Sequence, residues 1–83
     1  MVMDVVLSSQ GDRLAWILQQ KQNRPWLYTL YVADADGAHA RVIASAEDVK
    51  TDNGHSWPRA VQWLPDGKQI SFDYKEAIHT IPI

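Results

Sequence analysis

Two aspartates beside a glycine form the stretch whose spacing comes closest to metal chemistry. Asp34-Ala35-Asp36-Gly37 has the spacing found at the start of a calcium loop. Such a loop also needs a ligand at its fifth position and a glutamate at its twelfth. Those positions hold Ala38 and Ser45, which cannot serve. The stretch therefore predicts a hairpin turn, and we expect no metal site.

The histidines and serines give no catalytic pattern. His39, His55 and His79 share no ligand spacing, and a turn and a strand are predicted for the first and the last. His55 lies in a long irregular stretch beside Trp57, where it can contact a partner. No serine lies in a Gly-x-Ser-x-Gly elbow, and no glycine-rich loop suits a phosphate. The sequence predicts a protein that is not an enzyme and has no cofactor.

Composition indicates a small folded chain without a polyanionic partner. The 83 residues are 46% hydrophobic and 22% charged, with a net charge of −2. Lysine and arginine are scattered, which disfavours nucleic acid and anionic membranes. Cysteine is absent, so disulfides and thiolate metal sites are excluded. The N-terminal residues 1–7 lack a basic segment, so we expect no signal peptide and no membrane span.

A β-hairpin over residues 63–72 is the clearest local prediction. Three turn residues separate two strands that alternate apolar and polar side chains, and they are Pro65, Asp66 and Gly67. Proline presets the first turn position, aspartate bonds nearby amides, and glycine supplies a positive φ.

The remaining pattern predicts strands almost throughout. They are expected at 3–7, 13–19, 27–33, 40–44, 59–64, 68–74 and 77–81. Tight turns are expected around Gly11, at Asp34-Ala35-Asp36-Gly37 and at Lys75-Glu76, and a polar loop at 20–25. Residues 45–57 are predicted as a long loop with at most one helical turn at 46–50.

An internal repeat relates these strands. Residues 7–16 align without gaps on residues 63–72, 56 positions apart, and residues 30–33 align on residues 78–81, 48 positions apart. The repeat divides the chain into a four-strand unit at 1–45, a connection at 46–57 and a three-strand unit at 58–83. The predicted fold is all-β: antiparallel β-propeller blades, one four-stranded and one partial.

Residues 57–72 resemble the repeat of TolB-type (WD-repeat-like) β-propellers, with a tryptophan, then Pro-Asp-Gly-Lys, an aliphatic residue, a small residue and an aromatic. Residues 30–37 resemble the third strand and the acidic turn of the same repeat. The resemblance implies the propeller fold and does not by itself define a function. The repeat, the absence of a catalytic pattern and the loops on one side predict a non-catalytic protein–protein interaction scaffold. The alternative that the resemblance implies is the substrate-gating propeller of a prolyl-oligopeptidase-type serine peptidase. A TolB-like parent implies the periplasm, and any other parent the cytoplasm.

Antiparallel connectivity places the predicted loops at 20–25 and 45–57 together at one end of the strands. This arrangement predicts a surface that binds a protein or peptide. Its candidate residues are Lys21, Arg24, Trp26, His55, Trp57 and Arg59. Trp16 and Trp63 are predicted to pack between the two units. Trp26 and Trp57 are either packed lids, which is the favoured interpretation, or exposed anchors.

Fewer than two complete blades would leave apolar sheet faces and two open edges in water. We therefore expect the chain to belong to a larger propeller or to self-associate into a ring-like oligomer, most simply a trimer.

Overall fold

The computed structural model describes residues 1–21, 26–52 and 54–83, and all regular structure in these ranges is β-strand. The strands are β1 Val2–Leu7, β2 Arg13–Gln20, β3 Leu27–Asp34, β4 Arg41–Glu47, β5 Val49–Thr51, β6 Gly54–Ser56, β7 Arg59–Trp63, β8 Gln69–Tyr74 and β9 Ala77–Pro82.

These strands form three antiparallel sheets. The first sheet has the order β1-β2-β3-β4, and the second sheet has the order β7-β8-β9. A two-stranded hairpin, β5-β6, connects them. The predicted all-β, antiparallel fold is confirmed, and the seven strands expected from alternation lie within a few residues of their predicted bounds.

The structure repeats the turn that the sequence repeat predicts. The Gly11 amide donates to the Ser8 carbonyl oxygen at 2.9 Å, and the Gly67 amide donates to the Leu64 carbonyl oxygen at 2.9 Å. Both glycines have positive φ, at 74° and 68°. Of the predicted turn residues, Asp34 is the last residue of β3, and the others lie in turns: Gly11, Asp36, Gly37, Pro65, Asp66 and Gly67.

The connection over 46–57 differs from the prediction. It contains no helical turn in its described residues, because β4 continues to Glu47 and the β5-β6 hairpin follows, with Lys50 paired to His55. The Thr51 hydroxyl donates to the Gly54 carbonyl oxygen at 3.1 Å across the hairpin end. With Thr51 paired to Gly54 and Val49 paired to Ser56, these strands bond to each other across a hairpin in place of a helical turn.

The core lies between the facing surfaces of the two sheets. Its buried residues are Ala15, Ile17, Tyr28, Leu30, Val32, Val61, Ile70 and Phe72. Trp63 packs against this core as predicted, and its indole N–H donates to the Val6 carbonyl oxygen at 3.4 Å. Trp16 was expected there too, but it lies on the opposite face of the first sheet, stacked on Tyr31 with ring centroids 5.4 Å apart. The reason is the strand register, which directs Ala15 and Ile17 inward instead.

Candidate functional site

Backbone contacts hold several connections together at one end of the molecule. This end, called the long-loop end below, comprises Lys21, Trp26, residues 48–58 and the turn at 75–76. The Asp48 amide donates to the Trp26 carbonyl oxygen at 3.1 Å. The Lys75 amide donates to the Ser56 hydroxyl at 2.9 Å, which joins the second sheet to the connecting hairpin. These contacts place Trp26, the connecting hairpin and the turn at 75–76 at one end, whereas residues 22–25 of the predicted loop lie outside the described residues.

Tyr74 adds a third link across this end. Its hydroxyl donates to the Glu47 carbonyl oxygen at 2.7 Å, between the last strand of the first sheet and β8. Burial, followed by the nearby negative charges of Glu47 and Asp48, raises the pKa of Tyr74. The phenol therefore stays protonated and able to donate at neutral pH.

An aspartate that no sequence pattern indicated orients the His55 ring. Its Nδ1 lies 3.0 Å from Oδ1 of Asp48, and the His55 side chain remains 60% exposed while that of Asp48 is 17% exposed. The carboxylate fixes the ring orientation and leaves the other ring nitrogen directed away from this contact. His55 is therefore an oriented hydrogen-bonding group at the surface.

Trp57 packs, and it carries a cation on its ring. It stacks on Tyr28 with centroids 6.1 Å apart, and the Arg59 guanidinium carbon lies 5.2 Å from the Trp57 ring centroid. Of the two interpretations left open for this tryptophan, packing fits the half-buried side chain. A cation over an indole face is an attractive contact that orients the guanidinium group.

Lys21 and Trp26 form a separate exposed pair, with the Lys21 ammonium 5.8 Å from the Trp26 ring centroid. Trp26 is 36% exposed, so it corresponds to the exposed alternative rather than to a packed lid. Arg24, the remaining candidate, lies outside the described residues.

A cleft of about 280 Å³ opens beside His55 and Arg59. Charged side chains of both signs line it, since Asp73 and Glu76 join Arg59 at its wall. The complete lining is Thr51, His55, Ser56, Arg59, Asp73, Glu76, Ala77 and Ile78. Groups of both charge signs and a short apolar wall therefore face the same cleft.

The structure thus brings two of the six predicted residues, His55 and Arg59, to one cleft, with Trp57 supporting Arg59. Sequence reasoning missed Asp48, Asp73 and Glu76. Only the predicted turn at Lys75-Glu76 could have indicated that Glu76 lies near the cleft, because this turn places β9 beside Asp73.

The acidic turn at 34–37 is a hairpin turn in the structure. Oδ2 of Asp34 lies 2.6 Å from Nδ1 of His39, and Oδ1 of Asp36 accepts from the Ala38 amide at 2.9 Å. Within the described ranges, no group of three or more histidine, aspartate or glutamate side chains can hold a metal ion. The same residues include no helix long and apolar enough to cross a membrane.

Comparison with protein-family models, curated proteins and solved structures finds no match to this chain.

Proposed function

We propose that this chain is a non-catalytic interaction module that binds a protein or peptide at its long-loop end. The observation that carries the proposal is the mixed-charge cleft, where a carboxylate-oriented histidine and an indole-supported arginine meet. Arginine and aromatic residues are the groups that dominate protein interfaces, and exposed connections on rigid strands are their usual location.

The two sheets are, in this proposal, consecutive blades of a TolB-like propeller. Support comes from the shared hairpin geometry at positions 56 apart and from the face-to-face packing of the sheets. The rest of the propeller would be supplied by further units, whether on the same polypeptide or on other copies.

The alternative of a gate for a serine peptidase rests on the repeat resemblance alone. Sequencing the parent gene distinguishes the two functions, because a gate requires an adjoining hydrolase domain with a nucleophile elbow.

Peptide selection tests the binding proposal. Peptides selected from a random display library on the wild-type chain are titrated against a cleft variant, His55→Ala with Arg59→Ala. A matched control carries His39→Ala with Lys68→Ala. It also removes one histidine and one positive charge, but from the turns at the end of the molecule opposite the long-loop end. We expect binding to the cleft variant to weaken about tenfold, or about 1.4 kcal/mol, and binding to the control to stay unchanged. Equal binding to both variants overturns the proposal.

A further inference from the structure

A second cleft, called the arginine cleft below, opens at the end of the molecule opposite the long-loop end. Its volume is about 190 Å³, and it shares no lining residue with the cleft beside His55. The lining residues that carry the argument are Arg13, Val32, Asp34, His39, Arg41 and Ile83. The charged side chains among them belong to the first sheet, which has all four of its strands, and His39 belongs to the turn after β3.

The strand register brings two arginines to one face of the first sheet. Arg13 begins β2 and pairs with Asp34, and Arg41 begins β4 and pairs with Val32. Partners in a ladder share a face, and so do residues two apart in one strand. Both arginines therefore lie on the face that carries the buried Val32, one on each side of β3.

Neither arginine forms an ion pair within residues 1–21, 26–52 and 54–83, where both ion pairs join a histidine to an aspartate. Three other cations lie over aromatic rings, and they are Lys21, Arg59 and Lys75. Arg13 and Arg41 make no contact of that kind in the same part of the chain. Their guanidinium groups are therefore available to a ligand in the arginine cleft.

The carboxylate in this lining is engaged by a different group. Oδ2 of Asp34 lies 2.6 Å from Nδ1 of His39, so the histidine and not an arginine is its partner. Two guanidinium groups against one carboxylate leave the lining positive whether or not His39 is protonated, although the whole chain has a net charge of −2. A positive cleft on an acidic chain favours an anionic ligand.

The number of arginines indicates which anion. A guanidinium group donates through a planar fork that matches the oxygens of a carboxylate or a phosphate. A phosphate monoester has three terminal oxygens and a charge of about −1.5 to −2 at pH 7, so it can accept from two forks. A carboxylate has two oxygens and a single charge, which one arginine satisfies.

The rest of the lining leaves room for a small organic group beside the phosphate. Val32 and Ile83 supply apolar walls next to the arginines. A cavity of about 150 Å³ accepts benzene, and the arginine cleft is larger, at about 190 Å³.

We propose that the arginine cleft binds a small organic phosphate monoester. Arg13 and Arg41 donate to the phosphate oxygens, and Val32 and Ile83 contact the organic group. Because side chains supply the donors, the site does not need the glycine-rich loop that the sequence lacks. The proposal is independent of the cleft beside His55, and it stands even if that cleft binds nothing.

Phenyl phosphate is the probe. It is titrated into the ¹⁵N-labelled chain, and NMR follows the backbone amides and the arginine Nε–H groups. We expect saturable shifts at Nε–H of Arg13 and Arg41, and about tenfold weaker binding of benzoate, which has the same ring with a carboxylate. If millimolar phenyl phosphate gives no saturable shift at these two groups, or shifts only His55 and Arg59, the proposal is wrong. Equal affinity for benzoate also overturns it.

Substitutions of charged residues supply matched controls, measured by calorimetric titration of phenyl phosphate. Arg41→Gln should weaken binding about tenfold, whereas Lys50→Gln, which removes the same charge from the exposed side of β5, should leave it unchanged. Asp34→Asn should strengthen binding severalfold, because it removes the negative charge beside the phosphate. Asp36→Asn changes the same turn outside the lining and should have little effect. Equal affinities within either pair of variants overturn the proposal.

Discussion

The first sheet has a bulge in its opening strand, and the second sheet has one at the corresponding position. Asp4 and Ala60 have φ of 52° and 56°, and both lie within register shifts. They touch each other: Oδ2 of Asp4 accepts from the Ala60 amide at 3.1 Å, between residues 56 apart in sequence. The repeat is therefore a repeat of backbone conformation, and it survives the change of side chain.

The outer faces of the two sheets differ strongly. The first sheet carries mainly apolar side chains there, and they are Val2, Leu7, Leu14, Trp16, Leu18, Tyr31 and Val42. The second sheet carries mainly polar ones, and they are Arg59, Gln62, Ser71, Asp73 and Thr80. Sheets with equivalent backbones therefore differ in the polarity of their outer faces. The outer face of the first sheet favours contact with another apolar surface, and that of the second sheet favours contact with water.

Truncating one pair of equivalent residues tests this comparison with the largest effect. Ile70 is fully buried, and its counterpart Leu14 lies half-buried on the outer face. Ile70→Ala should lower the free energy of unfolding by about 2–5 kcal/mol, whereas Leu14→Ala should cost about 1 kcal/mol. Chemical denaturation measures both. Equal losses would mean that Leu14 is covered in solution, as it would be by self-association, and would remove the contrast within the single chain.

Self-association is the next test. Leaving about 400 Å² of apolar surface exposed forgoes about 10 kcal/mol at about 25 cal/mol per Å², which is comparable with the stability of a small domain. We expect light scattering after size exclusion to give a mass above the 9.4 kDa of one chain. Trp16→Lys should lower that mass, and Thr80→Lys on the polar outer face should not.

The way copies associate follows from the same contrast. A head-to-tail ring, such as the trimer expected from the repeat, would press Arg59 and Asp73 against the Trp16 face and desolvate both charges. Pairing of two first-sheet outer faces avoids that cost and is the arrangement we expect for isolated copies of this chain. A further propeller blade beside the second sheet would instead have to offer hydrogen-bonding partners to Arg59 and Asp73. A monodisperse 9.4 kDa species would contradict self-association, and loss of assembly in Thr80→Lys would favour the ring.

Strand positions followed from the sequence because alternation and turn chemistry are local. The β5-β6 hairpin was missed because strands of three residues carry too little alternation to detect. The inner face of the first sheet was not predictable either: Leu14-Ala15-Trp16-Ile17 is apolar on both faces, so only packing decides that Ile17 is buried.

The sequence predicted two residues of the candidate site and missed their acidic neighbours. Antiparallel connectivity was enough to bring His55 and Arg59 to one end. Asp48 contacts His55 because the β5-β6 hairpin, which was not predicted, folds back toward β4. Asp73 lines the cleft because the register of β7 and β8 pairs it with Arg59. No spacing in the sequence encodes either contact.

The two equivalent turns can be compared through their glycines. Both Gly11 and Gly67 have positive φ, so alanine should cost about 1 kcal/mol at each. A Cβ at Gly67 would also lie 2.6 Å from Oε1 of Gln10, while none of the surroundings of Gly11 comes within 4 Å. Gly67→Ala should therefore be more destabilising than Gly11→Ala by about 0.5 kcal/mol. The reason is that the flexible Gln10 side chain must move and give up the hydrogen bond that it accepts from the Ser9 hydroxyl. Thermal unfolding measures both variants, and adding Gln10→Ala should remove the difference. A Gly11→Ala loss as large as that of Gly67→Ala would contradict the role of Gln10.

The smallest effect concerns the carboxylate of Asp66 in the second turn, because the first turn has Gln10 at the corresponding position. Oδ1 of Asp66 accepts from the Lys68 amide and Oδ2 from the Gln69 side chain, each at 2.9 Å. The hydrogen bond from the Lys68 backbone, followed by that from the Gln69 side chain, lowers the pKa of Asp66 below its ordinary value of 3.8.

A group whose pKa is lower in the folded state stabilises the fold above its unfolded pKa, and that contribution is lost as pH falls through the folded pKa. The second hairpin should therefore weaken below about pH 4 while the first, with its glutamine, does not respond through this position. NMR titration of the Asp66 carboxyl, with amide exchange at Gly67 and Gly11 as the two readouts, measures this. In Asp66→Asn the acid response of the Gly67 amide should disappear, and its persistence would show that another group is responsible.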